Sequence, residues 1–150
     1  MPNALSHNNT AAASRIASLS SPTAYASVPV VRIRRVALAS ALQACKNVFP
    51  DAFIGLFREK DGVLTELFLA PLAEYGRSHS SFPDWHVPSD ASLVATIHSH
   101  PNGVLLPSRQ DLRFFSSSGR WHFIAGAPYG LNDVACYDSR GQPVALEVVR

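Results

Sequence analysis

The alternation of apolar and polar side chains divides most of the chain into short strands and two helices. Apolar residues recur at helical spacing from Val36 to Val48, which predicts a helix that ends before Phe49 and Pro50. A second helix is predicted over 108–116. Apolar and alternating runs predict a first strand at 28–33, a hairpin over 53–69, a strand at 93–98, and final strands near 121–125, 133–137 and 144–149. Helices and strands interleaved in this way predict an α/β domain with a mixed sheet.

The first 28 residues differ in composition from the rest of the chain. They are rich in Ala, Ser and Asn, contain no acidic residue, and have Arg15 as the one fixed side-chain charge. We therefore expect a flexible or disordered extension at 1–28, followed by one domain at 29–150. A polar segment from Pro71 to Asp90 interrupts the predicted strands.

Composition narrows the function classes. A hydrophobic fraction of 47% indicates an ordinary globular core, and a net charge of +2 is too small to indicate a nucleic-acid partner. No apolar run approaches the roughly 18 residues of a membrane span. Cys45 and Cys136 are far apart and form no CxxC pair, so we expect reduced thiols and a cytoplasmic location.

The candidate chemistry is concentrated between residues 98 and 111. His98 and His100 are two residues apart at the end of a predicted strand, so both side chains point to the same side. Ser108 is expected to cap the second helix, with Asp111 one turn later. Two imidazoles and one carboxylate leave a zinc ion an open position, at which the pKa of a bound water falls to roughly 7.

This run resembles the metal motif of the JAMM, or MPN-plus, metalloproteases. The sequence HSHP at 98–101, followed by Ser108 and Asp111, has the spacing of that motif. The segment 49–56 is similar to the Pro-x-Glu-Phe-x-Gly-Leu segment near the start of such domains, and 112–149 is similar to small archaeal members. The resemblance covers about residues 30–150.

The resemblance implies a JAMM/MPN fold, a mixed sheet flanked by helices that is related in architecture to the cytidine deaminases. It also implies one Zn²⁺ per chain, held by His98, His100 and Asp111, with the Ser108 hydroxyl stabilising the oxyanion. The implied reaction is hydrolysis of the bond between ubiquitin or a ubiquitin-like modifier and its target. The sequence leaves the identity of the modifier and the oligomeric state open.

One position departs from the family pattern. The family has its general-base glutamate two residues after the proline of that segment, and this chain has Ala52 there. General acid–base catalysis contributes about 10² to 10⁴-fold, so the resemblance implies strongly impaired turnover. Two other carboxylates come into question as replacements. Asp51 is shifted by one residue and points elsewhere, whereas strand alternation places Glu66 with Leu64 and Phe68.

Several alternatives stay open. Ala52 is either a substitution made to prevent turnover, which the intact ligand set favours, or a natural loss of the base. The chain could instead be a non-catalytic MPN-type binding module. A RadC-like, DNA-repair-associated protein is a third reading, and Ser99, where that branch typically has Asn, argues against it. His79, His86 and His122 lack ligand spacing and are expected at the surface or beside the site.

Overall fold

The computed structural model describes residues 27–69, 74–75, 80–81 and 89–150. Within these ranges the chain forms, in order, β1 (Val30–Arg34), α1 (Arg35–Val48), β2 (Ile54–Lys60), β3 (Val63–Phe68), β4 (Glu74–Tyr75), β5 (Ser80–Ser81), β6 (Leu93–His100), α2 (Arg109–Phe115), β7 (Trp121–Gly126), β8 (Val134–Asp138) and β9 (Pro143–Val149). The predicted α/β class and the order of its elements are therefore confirmed.

The main sheet closes into a barrel. Its strands follow the order β1, β3, β2, β6, β7, β8 and β9, and β9 pairs with β1 to complete the ring. The β1–β3, β6–β7 and β9–β1 pairs are parallel and the others are antiparallel, as a mixed sheet requires. Strands β4 and β5 form a separate two-stranded sheet. Closure was not predicted, because it joins segments from opposite ends of the domain.

The two faces of the sheet pack against different helices, because alternate strand residues point to opposite sides. On one side lies the α1 core, whose members include Leu38, Ala41, Cys45, Phe57, Ile97 and Phe123. On the other side lies the smaller α2 core, formed by Phe115, Ile124 and Tyr137. His98 is paired in register with Ile124 and with Ile54, so its side chain lies on the α2 side.

The hairpin and strand β6 lie close to where the local sequence pattern predicts them. The hairpin turns at Asp61 and Gly62, whose φ angles of 52° and 77° are those of the two-residue turn that suits twisted strands. The strand predicted to end at residue 98 continues to His100, where the β6–β7 pairing reaches Gly126. Both histidines therefore lie on a paired strand, and their side chains are fixed on one face of it.

The expected placement of Glu66 on the Leu64 face is wrong. Arg58 pairs with Glu66 and Glu59 pairs with Leu64, so β3 contains one extra residue in a β-bulge. The bulge resets the alternation, and the Glu66 side chain is 62% exposed, with an oxygen 2.9 Å from Nη1 of Arg58. Glu66 is consequently a surface partner of Arg58.

Two predicted segments lie mostly outside the described residues. The extension at 1–28, apart from its last two residues, lies outside the described residues. Most of the polar segment 71–90, with His79 and His86, also lies outside them. In the part of the chain that is described, no helix is long and apolar enough to cross a membrane.

Candidate metal centre

Strand β6 brings the two histidine rings together. His98 and His100 project from the same face, and their ring centroids are 4.9 Å apart. Their Nε2 atoms are 3.1 Å apart, so both nitrogens face the same point. His98 is buried and His100 is half-buried, which limits the motion of both rings.

Helix α2 supplies the carboxylate through its first turn. Ser108 is the N-cap residue, and its Oγ accepts a hydrogen bond from the Asp111 N–H at 3.1 Å. In return, the Ser108 N–H donates to Asp111 Oδ2 at 2.6 Å, which completes the predicted capping box. The same carboxylate turns toward the histidines: Oδ1 is 3.0 Å from His98 Nε2, and Oδ2 is 3.3 Å from His100 Nε2.

The three side chains fit a zinc ion. One ligand atom from each of His98, His100 and Asp111 lies within 4.8 Å of the others. Two nitrogens that bind zinc at 2.0–2.1 Å and at the tetrahedral angle would be about 3.3 Å apart. The observed Nε2 separation of 3.1 Å is close to that value. Two nitrogen donors and one carboxylate are also the ligand types of a catalytic zinc site with an open fourth position.

The loop after β6 fixes the His100 ring. Its Nδ1 lies 2.7 Å from the carbonyl oxygen of Val104, which can only accept, so the Nδ1–H donates there and Nε2 is the nitrogen turned toward His98 and Asp111. The Asn102 side chain accepts from the Val104 N–H at 3.0 Å, and the Gly103 N–H donates to the His100 carbonyl at 2.9 Å. These hydrogen bonds hold the His100 ring in one orientation.

His98 is held differently. Its Nδ1 is buried and has no hydrogen-bond partner among the residues that the structure describes. The ring of Phe115 lies beside it, at a centroid distance of 6.1 Å and an angle of 55°. The Nε2 side of this ring is held by Asp111, and its Nδ1 side is held by packing.

The charges of the site are mutually adjusted. Burial acts to raise the pKa of Asp111, but hydrogen bonds from His100 and His98 outweigh it and hold that pKa well below its usual range. Burial acts to lower the pKa of His100, but its hydrogen bonds to Asp111 and to the Val104 carbonyl raise the pKa above its ordinary value. Asp111 is consequently ionised at neutral pH, which is the state that binds a cation.

Residue 52 lies just before β2, next to the strand that carries the histidines. The Ser99 N–H donates to the Phe53 carbonyl at 2.9 Å, and the Phe53 N–H donates to Ser99 Oγ at 2.7 Å. These bonds tie the segment before Ile54 to β6 between His98 and His100. Ala52, the residue before Phe53, is buried.

Glu66 does not occupy a comparable position. Its partner Arg58 lies four residues along β2 from Ile54, the residue that pairs with His98. Four residues of strand span roughly 13 Å, so Glu66 is remote from the ligands as well as exposed. Asp51 is partly exposed, and its N–H donates to the Val48 carbonyl where the chain turns out of α1.

Sequence reasoning missed Val104 and Phe115, and it left His122 either at the surface or beside the site. The backbone carbonyl of Val104 has no signal in a side-chain pattern. His122 and Phe115 are fully buried and stacked, with ring centroids 4.3 Å apart and an angle of 11°. The one signal for His122 is a lone polar residue inside the apolar run WHFIAG at 121–126. It is neither a metal ligand nor a surface residue.

Known proteins have this fold and similar sequences. The family of prokaryotic homologs of the JAB domain matches residues 29–137. A protein of Haloferax volcanii named "Probable metalloprotease" is 38% identical over 130 residues, 80% of each chain. A JAB1/MPN domain protein from Archaeoglobus fulgidus is 34% identical with a TM-score of 0.65, covering 79% of this chain and 99% of that one.

A further solved structure was described as JAMM, a metalloprotease-like zinc site in the proteasome and signalosome. It is 33% identical with a TM-score of 0.63, covering 81% of this chain and all of that one. Fold, ligand cluster and relatives together define a metalloprotease-like zinc protein, and Zn²⁺ is its cofactor. The chain belongs to the JAMM/MPN family, among the prokaryotic homologs of the JAB domain.

Proposed function

We propose that this chain is a zinc-dependent isopeptidase of the JAMM type whose turnover is strongly impaired. Its substrate class is a ubiquitin-like modifier joined to a target. The observation that carries the proposal is that buried Ala52 directly precedes Phe53, which is bonded to Ser99 between the two histidines, so a methyl group stands beside β6 where a proton carrier is needed. His98, His100 and Asp111 are the proposed ligands.

In this proposal each residue has one chemical task. When bound, zinc supplies a Lewis acid for the substrate carbonyl and lowers the pKa of a water molecule to roughly 7. The Ser108 Oγ accepts from the Asp111 N–H, which leaves the hydroxyl hydrogen free to donate to a developing oxyanion. Asp111, ionised and capped, keeps its carboxylate aimed at the histidines.

Position 52 is the point at which the reaction is interrupted. A glutamate there would take the proton of the attacking water and pass it to the leaving amine. Ala52 can do neither. The expected result is a protein that binds zinc and its substrate with little cleavage.

The decisive experiment restores the carboxylate. Ala52→Glu should raise chelator-sensitive cleavage of a ubiquitin-like fusion by about 10² to 10⁴-fold. Ala52→Gln is the matched control, because it has the same size but cannot accept the proton, and it should stay at the starting rate. A zinc-loaded Ala52→Glu protein without chelator-sensitive cleavage would contradict the isopeptidase proposal.

A non-catalytic binding module is the second candidate, and the same alanine favours it. Its ligands would then serve to hold zinc as part of a recognition surface. Under this alternative, Ala52→Glu gives no cleavage, while chelation of zinc weakens binding of the modifier. Measuring both quantities on the same protein separates the two functions.

A further inference from the structure

His122 is a polar ring enclosed within the α2 side of the sheet. It is fully buried on β7, and its Nδ1 lies 2.7 Å from the hydroxyl oxygen of Thr96. Thr96 pairs with His122 in the β6–β7 register and lies two residues before His98, on the same face of β6. The imidazole is thereby tied to the strand that carries two of the ligands.

Phe115 connects this imidazole to the metal centre. Its ring stacks on His122 at a centroid distance of 4.3 Å and an angle of 11°. Phe115 is the last residue of α2, four positions after Asp111, so the two side chains share one face of the helix. The same ring lies 6.1 Å from that of His98. The Phe115 side chain thus stacks on His122, lies beside the His98 ring and belongs to the helix that carries Asp111.

The contact between Phe115 and His98 matters because the two histidines are held in different ways. His100 is oriented by its hydrogen bond to the Val104 carbonyl, whereas His98 Nδ1 has no such partner among the described residues. His98 Nε2 is held by Asp111, and on the Nδ1 side the orientation of the ring depends on the Phe115 ring packed against it. Burial, with a smaller contribution from nearby His98, lowers the pKa of His122 to about 4. At neutral pH the His122 ring is therefore uncharged, and it does not repel a cation bound at the neighbouring ligands.

We propose that His122 is a positioning residue of the metal centre. Held by Thr96, it fixes the ring of Phe115, and Phe115 in turn sets the orientation of His98 and the place of Asp111. The proposal rests on the metal ligands proposed above, and it is independent of whether the substrate is an isopeptide.

The test compares two substitutions on opposite faces of β7. His122→Leu removes the ring on which Phe115 stacks, and Phe123→Leu removes a ring of the α1 core from the adjacent position. Zinc affinity of the folded protein is measured by competition with a chromophoric chelator, and ligand geometry by the visible spectrum of the Co²⁺-substituted protein. Unfolding of the metal-free proteins reports stability separately.

We expect His122→Leu to weaken zinc binding about 10 to 100-fold, the usual effect of losing an outer-shell partner, and to change the Co²⁺ spectrum. Phe123→Leu should lose stability without either change. His122→Phe, which keeps a flat ring under Phe115 but loses the bond to Thr96, should recover part of the affinity. Equal zinc affinities and spectra for His122→Leu and Phe123→Leu would overturn the proposal, as would a His122→Phe affinity no better than that of His122→Leu.

A milder variant covers the case in which His122→Leu fails to fold. Thr96→Val removes the hydroxyl group that holds the His122 ring and preserves the side-chain volume. It should weaken zinc binding by a smaller factor, and an unchanged affinity and spectrum would overturn the proposal. If the unsubstituted protein itself binds no zinc, the ligand assignment fails first, and this outcome is distinct from failure of the His122 role.

Discussion

The α1 core and the α2 core lie on opposite faces of the same strands, yet they differ in chemistry. The titratable groups of the α1 core include Cys45 and Cys136, and burial raises the pKa of each thiol to about 12, so both stay neutral. The α2 side holds His122, His98, His100 and an ionised Asp111. One face therefore supplies most of the apolar burial, and the other face can hold polar groups.

Strand β6 shows this division within a single segment. Ala95 and Ile97 are fully buried in the α1 core, whereas Thr96, His98 and His100 face the other way. A strand with a period of two can therefore stabilise the fold and present ligands at the same time. Substitutions on the two faces should separate stability from metal binding.

The largest expected effect is on the α1 side. Phe57 is fully buried and packs edge-to-face on Phe123 at 5.2 Å, so Phe57→Ala should reduce the free energy of unfolding by about 3–5 kcal/mol. Zinc affinity of the remaining folded protein should not change. Chemical denaturation and chelator competition measure the two quantities. A parallel loss of zinc affinity would show that the faces are not independent.

Acidification should act on the α2 side. The pKa of His122 is about 4 in the folded protein and about 6.5 in the unfolded chain, so between these values the unfolded state binds more protons. The stability contribution is complete above pH 6.5 and is lost as the pH falls toward 4, by about 3 kcal/mol. Denaturation of metal-free protein at pH 7 and pH 4 measures this loss. His122→Gln, which does not titrate, should lack this component, and identical pH profiles for the two proteins would refute it.

Zinc removal should come next in size. A ligand that binds the folded state alone stabilises it by about 2.7 kcal/mol when its free concentration is 100 times Kd. Thermal unfolding with and without a chelator measures the effect. In His98→Ala the difference should shrink or vanish, and an unchanged difference would place the stabilising zinc elsewhere.

Loss of the helix cap should be smaller. Ser108→Ala removes the acceptor of the Asp111 N–H and should cost about 1 kcal/mol, whereas Ser108→Gly should cost only a few tenths. In an Ala52→Glu background both variants lose the hydroxyl and should lose cleavage equally, by about 10² to 10³-fold. If Ser108→Gly retains full activity, the hydroxyl does not stabilise the oxyanion.

The smallest effect is expected at Glu66. It is an exposed partner of Arg58, and such pairs contribute about 0.2–1 kcal/mol. Glu66→Gln should therefore change stability by less than about 1 kcal/mol and leave any residual cleavage unchanged. A marked fall in residual cleavage would identify Glu66 as a replacement base after all.

The sequence predicted those parts of the molecule that depend on neighbours along the chain. The Ser108 cap, the hairpin over 53–69 and the shared face of His98 and His100 are consequences of local geometry, and all three are confirmed. Asp111 was predicted as the third ligand from its residue type and its spacing, and the family resemblance implied the same assignment. The structure brings these three side chains together.

The remaining features depend on contacts between distant segments. The bulge in β3 arises from its pairing with β2 and reverses the side of Glu66. The stack of Phe115 on His122 joins a helix to a strand across the sheet, and no periodicity in either segment reports it. Closure of the barrel through β1 and β9 likewise has no local signal.

This closure also orders events during synthesis. Strand β1 is the first strand of the barrel to leave the ribosome, and its partner β9 is the last. Before β9 arrives, β2, β6 and β7 can already pair around the ligands, while β8 and one side of β1 remain open edges. Open edges of nascent sheets recruit other chains, so the interval before β9 emerges is when this protein is most prone to aggregate.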